Sequence, residues 1–171
     1  METYAAVRTV LAVRDFKSGD LPPDSVKRIV EAARLTGSSM NAQPWHFIVI
    51  QQKEILTRLG ELVNSGPYIA DSAMAIVVAT EKKSVYGISD ASRAIQSMIL
   101  TAWSDGIGSN WAGWVGMEGV GALLGVPDTL DIVGVIPFGV PKDIKIGNQK
   151  NRKPINDVVH GEKFGEPLIT G

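Results

Sequence analysis

Gly37-Ser38-Ser39-Met40-Asn41-Ala42-Gln43-Pro44-Trp45-His46-Phe47 separates a helical pattern from an apolar run. On its upstream side, Leu21-Pro22-Pro23-Asp24 reads as a helix start, with proline near the first turn and an acid placed to meet the helix dipole. Val26, Ile29, Val30 and Ala33 follow at helical spacing, and Gly37 stands where the helix is expected to stop. Downstream, residues 46–51 (HFIVIQ) read as a short buried strand, followed by a helix across 53–63. The segment between offers serine, asparagine and glutamine, which present donors and acceptors side by side, together with backbone amides outside the helix. A flat heterocycle with imide edges takes such groups at its rim. A polar loop that only caps its own turns uses the same residues.

Working outward, residues 73–80 (AMAIVVAT) form a second apolar strand, and 89–105 are expected to form the longest helix. Ser89 or Asp90 is placed to cap that helix, Ala91, Ile95, Met98, Ile99 and Ala102 form its apolar stripe, and Gly106 ends it. A glycine-rich turn over 106–116 holds Trp111 and Trp114. A short helix near 119–124 and a strand near 132–138 come next, and the chain from Val140 onward is polar and basic. In a compact domain a tail of that composition lies on the surface or on a neighbouring subunit. Helices and strands interleave with no linker or repeat. The expectation is one domain over 1–171, α+β or α/β, built on a central sheet of four or five strands.

Composition excludes several chemistries. With no cysteine, the chain has no disulfide, thiolate zinc site, iron–sulfur cluster or cysteine nucleophile, so any redox activity needs a bound organic cofactor or a metal on other ligands. Two histidines, His46 and His160, stand far apart and make a poor metal set. A net charge of −1 gives no electrostatic reason to expect nucleic acid or an anionic membrane as a partner. The opening Met1-Glu2-Thr3-Tyr4 does not read as a signal peptide, and the apolar runs are too short to span a bilayer. A cytoplasmic protein is expected.

Four segments in order carry a resemblance. Ser38 to Phe47, following Ile29-Val30-Glu31-Ala32-Ala33-Arg34, resembles the nitroreductase family of FMN-dependent NAD(P)H oxidoreductases. Arg14-Asp15-Phe16 is similar to that family's N-terminal basic element. Gly106-Ile107-Gly108-Ser109-Asn110-Trp111-Ala112-Gly113 is similar to its glycine-rich turn, and Lys150-Asn151-Arg152-Lys153-Pro154 with Val158-Val159-His160 to its C-terminal basic segment. The resemblance implies an α+β nitroreductase-like fold with a central, mostly antiparallel sheet of four or five strands flanked by helices. It also implies an intertwined homodimer with FMN at the interface. NAD(P)H and a small electron-poor acceptor (a nitroaromatic, quinone or conjugated carbonyl) are the implied partners. Hydride would pass from NAD(P)H to flavin N5 and on to the acceptor, with no catalytic side chain required.

By the same resemblance, Arg14, Lys150 and Arg152 hold the FMN phosphate, a role that suits convergent cationic donors. Ser38, Ser39 and Asn41 meet the ribityl chain and ring from across the interface. Gln43 supports the loop, Pro44 and Trp45 pack its exit, and His46 is structural. The turn Asn110, Ala112, Gly113 brings backbone N–H groups toward N5 and O4, where donors tune the reduction potential. Glycine permits that close approach. Trp111 and Trp114 either line the pocket or pack beneath it. Gly119-Val120-Gly121-Ala122-Leu123-Leu124-Gly125 only superficially matches a dinucleotide fingerprint, since its third glycine is one position late. The chain departs from the family at Val10-Leu11-Ala12, where relatives carry polar or basic residues, so the phosphate site leans on Lys150 and Arg152 or recruits Arg8. Ala112 replaces a usual acidic or bulky residue, and the short stretch between Val63 and Ser89 leaves the pocket more open. Two other readings keep the flavin: different chemistry, such as metabolite dehydrogenation or transformation of the flavin itself, and a non-catalytic flavin-binding module.

Overall fold

A computed structural model describes residues 1–113, 117–143 and 150–169. Its helices are α1 (Thr3–Thr9), α2 (Pro23–Arg34), α3 (Lys53–Leu62), α4 (Gly87–Ser104) and α5 (Glu118–Leu124). Its strands are β1 (Trp45–Ile50), β2 (Met74–Glu81), β3 (Gly108–Ser109) and β4 (Leu130–Gly139). The strands form one sheet in the order β1-β2-β4-β3, and every neighbouring pair is antiparallel.

β2 explains the layering. Its residues from Met74 to Thr80 are all buried, as a strand covered on both faces must be. Side chains alternate between those faces. Met74, Ile76 and Val78 join Ile29 and Ala33 of α2 and Ile95 and Met98 of α4. Ala75 and Val77 join Leu56 and Leu59 of α3 and Val120 of α5. The helices thus divide between the two faces of the sheet. On β4 the alternation reverses midway. Ile136 and Phe138 lie on the α2/α4 side with Val135 opposite, whereas Val133 returns to the α2/α4 side. The cause is a bulge at the register shift between Val78 and Ala79, which sets Gly134 opposite Val78. A Cβ at Gly134 would run into the Trp111 indole.

The structure corrects local expectations. α2 ends at Arg34, not at Gly37: the Leu35 N–H still makes the helical bond to the Glu31 carbonyl, but the Thr36 N–H turns to the Ala33 carbonyl, three residues back, at 3.2 Å. α4 starts two residues before Ser89, where Gly87 packs against Thr80 with no room for a side chain. Neither Ser89 nor Asp90 caps it: both lie inside the helix, and Asp90 is fully buried. Gly106 does end α4's turn in a left-handed conformation, φ 77°. α1 lies outside every expected element. Glu2 caps it by accepting from the Tyr4 and Ala5 amides, and the Trp103 indole N–H donates to Thr9 Oγ1 at 2.9 Å, tying it to α4. Among the described residues no helix is long and apolar enough to cross a membrane, and no group of His, Asp and Glu is arranged to hold a metal ion.

Candidate functional site

The loop between α2 and β1 is a single turn of 3-10 helix, Ser39–Asn41, in an unusual backbone state. Met40, Asn41 and Gln43 all have positive φ, at 53°, 55° and 50°. Such values cost free energy for residues with a Cβ, least for asparagine. Bonds from the loop's own polar groups hold it. The Gln43 N–H donates to Ser38 Oγ at 3.0 Å, and the Gln43 amide group donates to the Asn41 carbonyl and to Asn41 Oδ1. Gln43 is therefore a support of the loop. Asn41 and Met40 face solvent, Ser38 and Ser39 are half-buried, and Pro44 and Trp45 are buried at the exit.

Ser39 is also fastened to the body of the protein. Its N–H lies 3.2 Å from both carboxylate oxygens of Asp90, and its hydroxyl donates to the same carboxylate at 3.2 Å. Arg93, one turn along α4, pairs with Asp90. Asp90 and Arg93 had no place among the expected site residues. An Asp near the start of a helix reads in sequence as a cap, which leaves its contact with the distant loop unsignalled.

The second element is the turn Asn110 to Gly113, which the sheet itself positions. The Ala112 N–H donates to the Val135 carbonyl at 2.9 Å and its carbonyl accepts from the Val135 N–H at 2.8 Å. The Ala112 amide is therefore used within the sheet and is not open to a ligand, contrary to expectation. Asn110, 9% exposed, donates from its side-chain amide to the Tyr68 hydroxyl. The Gly113 N–H, at φ 73°, donates to Ser65 Oγ at 3.1 Å. A Cβ at Gly113 would sit 2.7 Å from Met117 Sδ. Tyr68 and Ser65, neither of them an expected site residue, thus shape this turn. Trp111 packs on the core beneath it. Trp114 lies outside the described residues.

The cations form the third element. Lys150, half-buried, donates from Nζ to the Val7 carbonyl near the end of α1 at 2.6 Å. Burial, and secondarily the Arg152 guanidinium, hold its amino group below the ordinary lysine range. Arg152, two residues on and exposed, donates from Nη1 to the Asn151 carbonyl at 2.9 Å. Arg14 is exposed on a segment threaded beside β3: Ala12 bridges Ser109, and Phe16 bridges Pro141. Arg8, the alternative recruit, instead lies over the Tyr4 ring.

These elements do not converge within one chain. Ser39 is anchored at Asp90, in the first turn of α4, whereas β3 and the turn follow α4's far end. The helix from Asp90 to Ser104 spans about 21 Å at 1.5 Å per residue. Across the sheet, β1 and Ala112 stand on opposite edges, three strand spacings or about 14 Å apart. A groove of about 650 Å³ lies elsewhere, between α5 and the start of β4, lined by Lys82, Ile88, Met117, Glu118 and Asp131 among others. None of the expected cofactor residues lines it.

Comparison with known proteins agrees with this architecture. The Nitroreductase family model matches residues 8–71 and 65–140. An Archaeoglobus fulgidus protein, provisionally named NADH dehydrogenase/NAD(P)H nitroreductase, is 31% identical over 172 residues, covering 95% of this chain and 99% of its own. The crystal structure of a provisionally named NADH dehydrogenase/NAD(P)H nitroreductase from Parabacteroides distasonis superposes with a TM-score of 0.87 at 25% identity, covering 95% and 98% of the two chains. An FMN-dependent nitroreductase from Clostridium difficile superposes equally well, with a TM-score of 0.87 at 25% identity and coverage of 94% and 99%.

Proposed function

The chain belongs to the nitroreductase family, and from that premise we propose that it is an FMN-dependent oxidoreductase carrying hydride from NAD(P)H to a small electron-poor acceptor, with each flavin seated between two copies of the chain. The observation that carries this reading is the division of the donor groups between the two ends of α4. A single chain holds Ser38, Ser39 and Asn41 at one end and the Asn110–Gly113 turn at the other. A second copy running the opposite way would bring one end against the other.

The residues present fit the cofactor. Lys150 and Arg152 lie two residues apart, with the lysine amino group held down by burial and secondarily by the charge of the guanidinium. A phosphate dianion relieves that arrangement, accepting charged hydrogen bonds from both. Arg14 joins them as the third phosphate ligand. Ser38, Ser39 and Asn41 supply donors and acceptors for the ribityl chain and ring edge. At the turn, Gly113 with its Ser65 partner is the hydrogen-bonding pair nearest the surface, and Asn110 and Ala112 contribute shape. When bound, FMN supplies a ring that takes hydride from NAD(P)H and yields it to a nitroaromatic, a quinone or a conjugated carbonyl. The protein's part is orientation, exclusion of water and hydrogen bonding, with no nucleophile required. NAD(P)H as reductant suits an enzyme working in the cytoplasm.

The exposed apolar residues support a dimer. Tyr4 and Val7 on α1 and Ile155, Val158, Phe164 and Ile169 of the C-terminal segment face solvent in the single chain. Exposed apolar residues of this kind suit a surface that another subunit covers. The test is the visible spectrum of the purified protein. Bound flavin that NAD(P)H bleaches, and that menadione or a nitrofuran restores, is expected. A protein that stays colourless with added FMN overturns the reading.

A further inference from the structure

Resting on the flavin reading above, we propose that Asp90 is the positioning residue of the flavin loop: its buried carboxylate, countered by Arg93, grips Ser39 by main chain and hydroxyl and so sets the conformation in which Ser38, Ser39 and Asn41 meet the cofactor. Asp90 is 0% exposed, a position that acidic side chains occupy only when paired and hydrogen-bonded. Helix capping does not account for it. α4 begins at Gly87, and Asp90's own N–H makes an ordinary helical bond to the Tyr86 carbonyl at 2.9 Å. The carboxylate instead accepts from a residue 51 positions away in the chain, through both of that residue's donors.

The grip falls where the loop needs it. Met40, Asn41 and Gln43 hold left-handed backbone that this sequence does not favour locally. The Asp90 bonds fix the residue just before this run. On its far side, the Pro44 carbonyl accepts from the Glu81 N–H at 3.0 Å and from the Thr80 hydroxyl at 3.3 Å. The strained turn is thus clamped between α4 and β2, and its shape depends on both clamps. The charge also sets polarity. A carboxylate only accepts, so the Ser39 hydroxyl gives its proton to Asp90. Ser39 Oγ in turn accepts from the Arg93 guanidinium at 3.5 Å, which leaves the hydroxyl oxygen one further lone pair to offer a ligand. A neutral amide at position 90 would permit the reverse polarity and would free the loop to relax.

The test is FMN titration of the flavin-free protein, followed by quenching of flavin fluorescence, beside thermal denaturation of the same samples. Wild type, Asp90→Asn, Ser39→Ala and the double variant form one cycle. Asp90→Asn should loosen FMN tenfold or more and alter the visible circular dichroism of the bound flavin. The double variant should lose less than the sum of the two single losses, because the Ser39 hydroxyl bond to Asp90 is common to both changes, whereas the residue-39 N–H bond to Asp90 survives in Ser39→Ala. Unchanged affinity and dichroism in Asp90→Asn overturn the proposal, as do losses that simply add. If Asp90→Asn does not fold, Ser39→Thr and Ser39→Ala decide. Thr keeps both donors and should bind FMN as wild type does, with Ala about tenfold weaker, whereas equal binding by the two overturns the proposal. A wild-type protein that takes up no FMN overturns the flavin reading itself, before any variant is compared.

Discussion

The Ser38–Gln43 loop and the Asn110–Gly113 turn are both short, irregular and polar, yet they are held in different ways. The turn is an extension of the sheet: Ala112 exchanges backbone hydrogen bonds with Val135, and Trp111 packs over Gly134. The loop has no such partner strand. Side-chain bonds, a buried carboxylate and a strained backbone define it. Changes at the turn should therefore register first in folding stability, and changes at the loop first in ligand binding.

The largest effect should come from Gly134→Leu, which forces the Trp111 indole off the strand beneath the turn. Overpacking of this kind costs about 3 kcal/mol, or roughly 6–12 °C in melting temperature for a domain of this size. A melting temperature within 2 °C of wild type, on the order of the shift one kcal/mol produces, would break the claim that the turn rests on that contact. Arg152→Ala, at the exposed cation beside Lys150, should act in the opposite sense. Loss of a charged hydrogen bond should weaken FMN binding by about 2 kcal/mol, some thirtyfold, with little change in melting temperature. Unchanged affinity by titration would place Arg152 in solvent. Met40, 87% exposed at φ 53°, makes no packing that a substitution would sacrifice. Met40→Asn should therefore stabilise the protein by about 0.5 kcal/mol through relief of backbone strain. A loss of stability in denaturant melts would show that the methionine is used.

The smallest effect is a pH dependence. Burial and Arg152 hold Lys150 below the ordinary lysine range, so between its lowered value and about 10.4 the unfolded chain binds more protons than the folded one. In that window Lys150 contributes a stability that rises with pH, and Lys150→Met should remove the contribution. Bound FMN should remove it too, since phosphate favours the charged amine. A wild-type minus variant difference that is flat with pH, or that falls, contradicts the assignment.

The uniform apolar run of β2, the 3.6-residue stripe of α4 and the helix-start signal of α2 were legible because burial alone dictates their patterns. α1 escaped notice because its seven residues bury little beyond Ala6 and depend on capping by Glu2 and on the Trp103 bond from α4. The α2 terminus departs from the glycine signal because the backbone tightens at Thr36, whose N–H bonds the Ala33 carbonyl, before Gly37 is reached. At the site, Ser38, Ser39 and Asn41 stood out through resemblance. The roles of Asp90, Tyr68 and Ser65 arise only from contacts between residues 42 to 51 positions apart. The Ala112 amide was misread for the converse reason, since its partner Val135 belongs to a strand that no local pattern links to the turn.

In the function proposed above, loop and turn serve one flavin only when two chains meet. Sedimentation velocity at decreasing protein concentration, recorded at the flavin's visible band and at 280 nm (roughly the aromatic absorption maximum), tests it most directly. The account expects visible absorbance to travel with the dimer alone and to appear as free flavin in proportion as monomer forms. A monomer that sediments with its FMN retained would contradict it.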